Sequence, residues 1–85
     1  MQVEIYTKDD CPYCAMAKIA LVNKGVSFSE QKLHTHFSRE QILKKFPLAN
    51  SFPIIVLDGF YIGGYNQLKE YLEEQTKSTK TLLNE

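Results

Sequence analysis

The sequence predicts an α/β domain: a mixed sheet of four strands flanked by three helices, in the order β-α-β-α-β-β-α. Three observations predict it. An alternating β-rich opening gives way to a run of helix formers and then to a second β-like segment. A wholly apolar run, Ile54 to Leu57, is followed at once by Asp58-Gly59, a hairpin signal. Two further helical segments are punctuated by Ser38 and by Gly63-Gly64.

In order, Val3, Ile5 and Thr7 alternate with Gln2, Glu4 and Tyr6 and form the first strand. Lys8-Asp9-Asp10 breaks it, and Pro12 suits the first turn of a helix whose residues run from Tyr13 to Lys24. Gly25 stands where a left-handed C-terminal residue belongs. Val26-Ser27-Phe28-Ser29 is expected as the second strand. Ser38 is a good N-cap for a helix from Arg39 to Phe46, with Gln41 in the capping-box position and Pro47 as its stop. Ile54–Leu57 should be a strand buried on both faces, and Phe60-Tyr61-Ile62 its return. Gly63-Gly64 ends that strand, and Tyr65 to Gln75 reads as the last helix, with Leu68 and Leu72 inward. Residues 76–85 are expected to form a polar tail, frayed or loosely docked, after a domain spanning 1–75. The first two strands should be parallel, with a right-handed crossover, and the last two antiparallel. This layout resembles a thioredoxin-like domain.

The bulk numbers narrow the function. With 85 residues there is room for one domain, and 44% hydrophobic with 24% charged residues is ordinary for a folded chain. Ten basic and ten acidic residues cancel, so neither a nucleic acid nor an anionic membrane is an expected partner. The N-terminus carries no basic segment followed by an apolar one, and no apolar run could span a bilayer. A cytoplasmic protein is the expectation. There, the two cysteines point to chemistry or metal binding rather than to a structural bridge.

Cys11-Pro12-Tyr13-Cys14 lies at the junction of the first strand and first helix. Cys11 should sit at the helix N-terminus, where free N–H groups and the helix dipole favour a thiolate. Cys14, one turn on, should be more buried and stay protonated longer. One sulfur then attacks and the other resolves. Lowering a thiol pKa from about 8.5 to about 5 raises its thiolate fraction at pH 7 roughly 30-fold, and a Brønsted slope of about 0.45 removes a similar factor in nucleophilicity. The gain therefore lies in Cys11 as a leaving group. Asp9 and Asp10, if close, would oppose the thiolate, and Asp10 is a candidate helix cap. Two other readings remain at this point: a zinc knuckle completed by His34 and His36, and an inert buried pair. The His-x-His spacing is tighter than is usual for zinc, and Cys14 precedes a helix former instead of a turn.

Tyr6-Thr7-Lys8, Cys11-Pro12-Tyr13-Cys14, Lys24-Gly25-Val26, Ser51-Phe52-Pro53 and Ile62-Gly63-Gly64-Tyr65 together resemble a dithiol glutaredoxin, over about Val3 to Leu72. The resemblance implies a glutathione-dependent oxidoreductase acting through Cys11 and Cys14 on protein disulfides and glutathione mixed disulfides. It implies that Pro53 is cis and faces the active cysteine, and that the Phe52 backbone pairs with glutathione like an added strand. Gly64 then allows close approach, and the N–H groups of Tyr65 and Asn66 take the γ-glutamyl carboxylate. Lys8 meets the glycine carboxylate, with Arg39 a second candidate, and Tyr13 lines the groove. Ser51 and Gly63 are further candidates beside them. Phe52 stands where valine is commoner, Ser51 where threonine is, and Asn66-Gln67 where an acidic pair is frequent. Glutathione is the implied co-substrate, with no metal. Disulfide-containing proteins are the implied partners, ribonucleotide reductase among them, and the protein is expected to be a monomer. A small redoxin served by thioredoxin reductase, and a zinc or iron–sulfur module, are the alternatives.

Overall fold

A computed structural model describes residues 2–49 and 51–84, with side chains as far as Glu74. The elements are β1 (Val3–Thr7), α1 (Pro12–Asn23), β2 (Ser29–Lys32), α2 (Arg39–Lys45), β3 (Ile54–Leu57), β4 (Phe60–Gly63) and α3 (Tyr65–Asn84). They form the expected thioredoxin-like arrangement, a four-stranded mixed sheet in the order β2-β1-β3-β4. β1 runs parallel to β2 and antiparallel to β3, and β3–β4 is an antiparallel hairpin. Its turn uses the left-handed dihedrals of Asp58 (φ 50°) and Gly59 (φ 87°).

Strand alternation divides the core into two layers. Val3, Ile5, Ile55 and Leu57 meet Ala17 and Leu21 of α1 and Leu68 and Leu72 of α3 on one face. Tyr6, Ile54 and Val56 meet Ile42 and Phe46 of α2 on the other. All four residues of β3 are buried, as a central strand covered on both sides requires. α2 starts with the predicted capping box. Ser38 N–H donates to Gln41 Oε1 at 2.8 Å, and Gln41 N–H donates to Ser38 Oγ at 3.2 Å.

The second strand differs from expectation, and the helix before it explains why. Gly25 (φ 69°) closes α1, with its N–H donating to the Val22 carbonyl at 3.0 Å, and Val26 N–H donates to the Leu21 carbonyl at 2.9 Å. This is a Schellman ending. Val26 is spent on the helix terminus and packs with Phe28 against the core cluster. Pairing with β1 therefore begins only at Ser29, and the strand that forms is the polar Ser-Glu-Gln-Lys segment.

The last helix also differs. Its backbone continues past the expected end at Gln75 to Asn84, so the segment 76–84, expected as a frayed or loosely docked tail, has helical backbone. Its sequence contains neither proline nor glycine to stop it. No helix among the described residues is long and apolar enough to cross a membrane.

Candidate active site

Cys11 is the N-cap of α1, with extended dihedrals (φ −123°, ψ 95°). Its Sγ accepts the N–H of Cys14 at 3.2 Å, so the sulfur takes the place that a serine or aspartate oxygen commonly fills. Asp10, one candidate cap from the sequence, is instead exposed with φ 54°. Pro12 follows at the first helical position, where its missing N–H is harmless.

Cys11 and Cys14 are joined by a disulfide, with their Cα atoms 5.2 Å apart. Cys11 is half-buried, while Cys14 is 3% exposed beneath it. The two sulfurs thus differ in access as the spacing predicts. Asp9 is turned to Lys32, 2.7 Å away, whose hydrogen bond and charge hold its carboxyl below the usual range. Its charge is thereby matched by a cation close at hand.

A groove of about 490 Å³ lies beside the pair, with Tyr13 from between the two cysteines on one wall. Tyr13 is 57% exposed, and its ring stands 5.8 Å from that of Tyr65. Phe52 and Pro53, joined by a cis peptide, form the floor with Ser51. Gly63, Gly64, Tyr65 and Asn66 complete the groove at the start of α3. A Cβ at Gly64 would lie 3.3 Å from the Pro53 carbonyl oxygen, so the glycine allows these two backbones to approach.

Lys8 and Arg39 are not part of this groove. They line an adjoining pocket of about 430 Å³, which shares Ser51 and Phe52 with it. The Lys8 ammonium stands 5.9 Å from the centre of the Phe52 ring, a cation–π contact. Phe52 also stacks on Phe37, with 6.2 Å between centroids. Where valine is commoner, the larger residue is therefore a partition between the two cavities.

The match to known proteins agrees with this geometry. The Glutaredoxin family model covers residues 3–62. The chain belongs to the glutaredoxin family. It is 41% identical to glutaredoxin 3 of Escherichia coli K12 over 66 residues, which is 78% of this chain and 80% of that relative. With glutaredoxin 1 of Rickettsia conorii it shares 32% identity over 83 residues, 95% of this chain and 80% of the other. Among solved structures, glutaredoxin 1 of Francisella tularensis complexed with cacodylate superimposes with a TM-score of 0.76 at 25% identity, covering 89% of this chain and 96% of that one. A glutaredoxin with this cysteine pair is a thiol–disulfide oxidoreductase.

Three residues named in the sequence but not assigned to the site contribute to this glutaredoxin groove. Gln67 lines the groove, and its Oε1 accepts the Gly64 N–H at 2.9 Å, which satisfies a donor at the start of α3. The signal for it was present, since Gln67 is three residues past the helix N-cap. Tyr61 and Ile62 also face the groove, where β4 shifts register against β3 between Ile55 and Val56. His36, weighed as a zinc ligand, uses Nδ1 to accept the Lys32 N–H at 3.0 Å. Among the described residues no cluster of three or more His, Cys, Asp or Glu side chains could hold a metal ion.

Proposed function

We propose that this glutaredoxin is a glutathione-dependent oxidoreductase that reduces protein disulfides and glutathione mixed disulfides through Cys11 and Cys14. The observation that carries the reading is the junction of the disulfide with the groove through Tyr13, which follows Cys11 by two residues and lines the groove. Glutathione is a short peptide with two terminal carboxylates. The groove offers it a backbone edge at Phe52, next to the cis-Pro53. It also offers the N–H groups of Tyr65 and Asn66 at the first turn of α3, which suit the γ-glutamyl carboxylate. Lys8, with Arg39 as the second candidate, is assigned to the glycine carboxylate across Phe52.

In the reduced protein, the Cys14 N–H and the positive end of α1 favour the ionised form of the Cys11 sulfur. That thiolate attacks one sulfur of a substrate disulfide, forming a mixed disulfide and expelling the other sulfur as a thiolate. Where the substrate is a glutathione adduct, glutathione itself forms the mixed disulfide with Cys11. A second glutathione thiolate then displaces Cys11 and leaves oxidised glutathione. Where the substrate is a protein disulfide, Cys14 loses its proton and displaces the bound sulfur. That step closes the Cys11–Cys14 bond, and two glutathione molecules supply the two electrons that reopen it. The proposal includes a monomer working in the cytoplasm, where glutathione keeps thiols reduced.

The test is a glutathione-coupled assay on wild type, Cys11→Ser and Cys14→Ser. Cys11→Ser is expected to be inactive on every substrate. Cys14→Ser should retain turnover of glutathione adducts and lose most of its activity on protein disulfides. Equal loss from both changes on glutathione adducts would refute the roles, and turnover with thioredoxin reductase but not with glutathione would refute the co-substrate.

A further inference from the structure

The pocket beyond Phe52 holds more apolar surface than glutathione can use. Its walls include Ile42, Leu43, Phe46 and Ala49 from α2 and the turn after it. Ile42, Phe46 and Ala49 are buried, whereas Leu43 is 51% exposed at the mouth. The pocket also carries Lys8 and Arg39, and no acidic side chain among the described residues lines it. The ion pairs of the described residues, Lys18–Glu30 and Lys32–Asp9, leave both of these cations without a carboxylate. Glutathione ends in glycine, which has no side chain to set against the apolar walls of this pocket of about 430 Å³. A carboxylate between Lys8 and Arg39 would account for the charge but not for the apolar lining.

We infer that this pocket selects polypeptide substrates in which the redox cysteine is followed by an apolar residue and then by a carboxylate. The inference rests on the glutathione reading of the main groove, because the residue after the substrate cysteine takes the direction assigned to the glycine of glutathione. Its apolar side chain enters beside Leu43 and Phe46, and the carboxylate meets Lys8 and Arg39. The thiol exchange itself is the one already written, with Cys11 forming the mixed disulfide and Cys14 displacing it.

The experiment follows single-turnover reduction, by the dithiol protein, of symmetrical disulfides of three N-acetylated, C-amidated peptides: Cys-Leu-Glu, Cys-Leu-Gln and Cys-Gly-Gly. Wild type should reduce the Leu-Glu peptide about tenfold faster than the Gly-Gly peptide, with Leu-Gln between them. Leu43→Glu, which sets a like charge at an exposed position, should bring the Leu-Glu and Gly-Gly rates to within about twofold, and Leu43→Ala should weaken the preference less. Leu43→Ala, which adds no charge near Lys8 and Arg39, should keep the wild-type rate on a small glutathione mixed disulfide. Full glutathione-coupled activity with no preference among the peptides would overturn this inference alone. Loss of glutathione-coupled activity in wild type would overturn the parent reading and this one with it. A dimer in sedimentation that Leu43→Glu dissociates would put a second copy in the pocket and also overturn it.

Discussion

Replacing Gly63 with alanine should destabilise the protein by about 2–4 kcal/mol, and two separate penalties make up that figure. Gly63 has φ 126°, a dihedral that L side chains rarely adopt, which costs about 1–3 kcal/mol. The new Cβ would also lie 2.6 Å from Gln67 Cγ, so the glutamine side chain must move. Moving it gives up the 2.9 Å hydrogen bond from the Gly64 N–H, a loss of about 0.5–1.5 kcal/mol. Gly64→Ala meets the Pro53 carbonyl oxygen at 3.3 Å and Gln67 Oε1 at an ordinary 3.9 Å, and should cost about 1 kcal/mol. Urea unfolding at neutral pH, analysed by linear extrapolation, reads these differences. Gln67→Ala removes the same hydrogen bond and clears the space for the new Cβ. The double variant Gly63→Ala/Gln67→Ala should therefore be more stable than the sum of the single losses implies. Stability of Gly63→Ala within about 0.5 kcal/mol of wild type, or strict additivity in the double variant, would refute this account of how β4 hands over to α3.

Two further predictions concern the layer under α1. Thr7, 2% exposed, donates to Glu30 Oε2 at 2.7 Å, and Lys18 reaches the same oxygen at 3.1 Å. Thr7 first and Lys18 second hold the Glu30 carboxyl below its ordinary 4.5, so its stabilisation is complete above that pH and is lost as pH falls through the lowered value. Thr7→Val should cost about 1 kcal/mol at neutral pH, discounted for the solvent access of Glu30, and the gap from wild type should narrow in acid unfolding below about pH 4. A gap that widens in acid would contradict the assignment. Leu68→Ala, at a position of α3 with 0% exposure that packs against α1 and the sheet, should lose about 3 kcal/mol in the same urea measurement. Leu48→Ala, 85% exposed, should stay within about 0.5 kcal/mol. Similar losses at the two leucines would deny that the core lies where the buried clusters put it.

Where a residue's job is local, its type made the structure legible. Ser38 and Gln41 form the capping box, Asp58-Gly59 the hairpin turn and Gly25 the left-handed helix end, each through chemistry contained within a few residues. The cysteine pair was legible for the same reason, because a three-residue separation on a helix start fixes which sulfur is outside. Longer-range competition hid the rest. Val26 and Phe28 look like strand residues by composition, yet the helix ending claims the Val26 N–H and the core claims both side chains. β2 is built instead from polar residues on the sheet edge, where one neighbour supplies all the pairing and no apolar alternation is needed. The groove residues near Pro53 and Gly64 were found through family resemblance. The separation of Lys8 and Arg39 into a second pocket depends on the size and stacking of Phe52, which no local pattern encodes.

Timed alkylation of the fully reduced protein at mildly acidic pH, with each cysteine read by mass spectrometry, tests the central claim most directly. Cys11, half-buried at the mouth of α1 and facing the Cys14 N–H, should be modified about tenfold or more faster than Cys14. Equal, slow modification of the two sulfurs would contradict the division of labour on which the proposed chemistry stands.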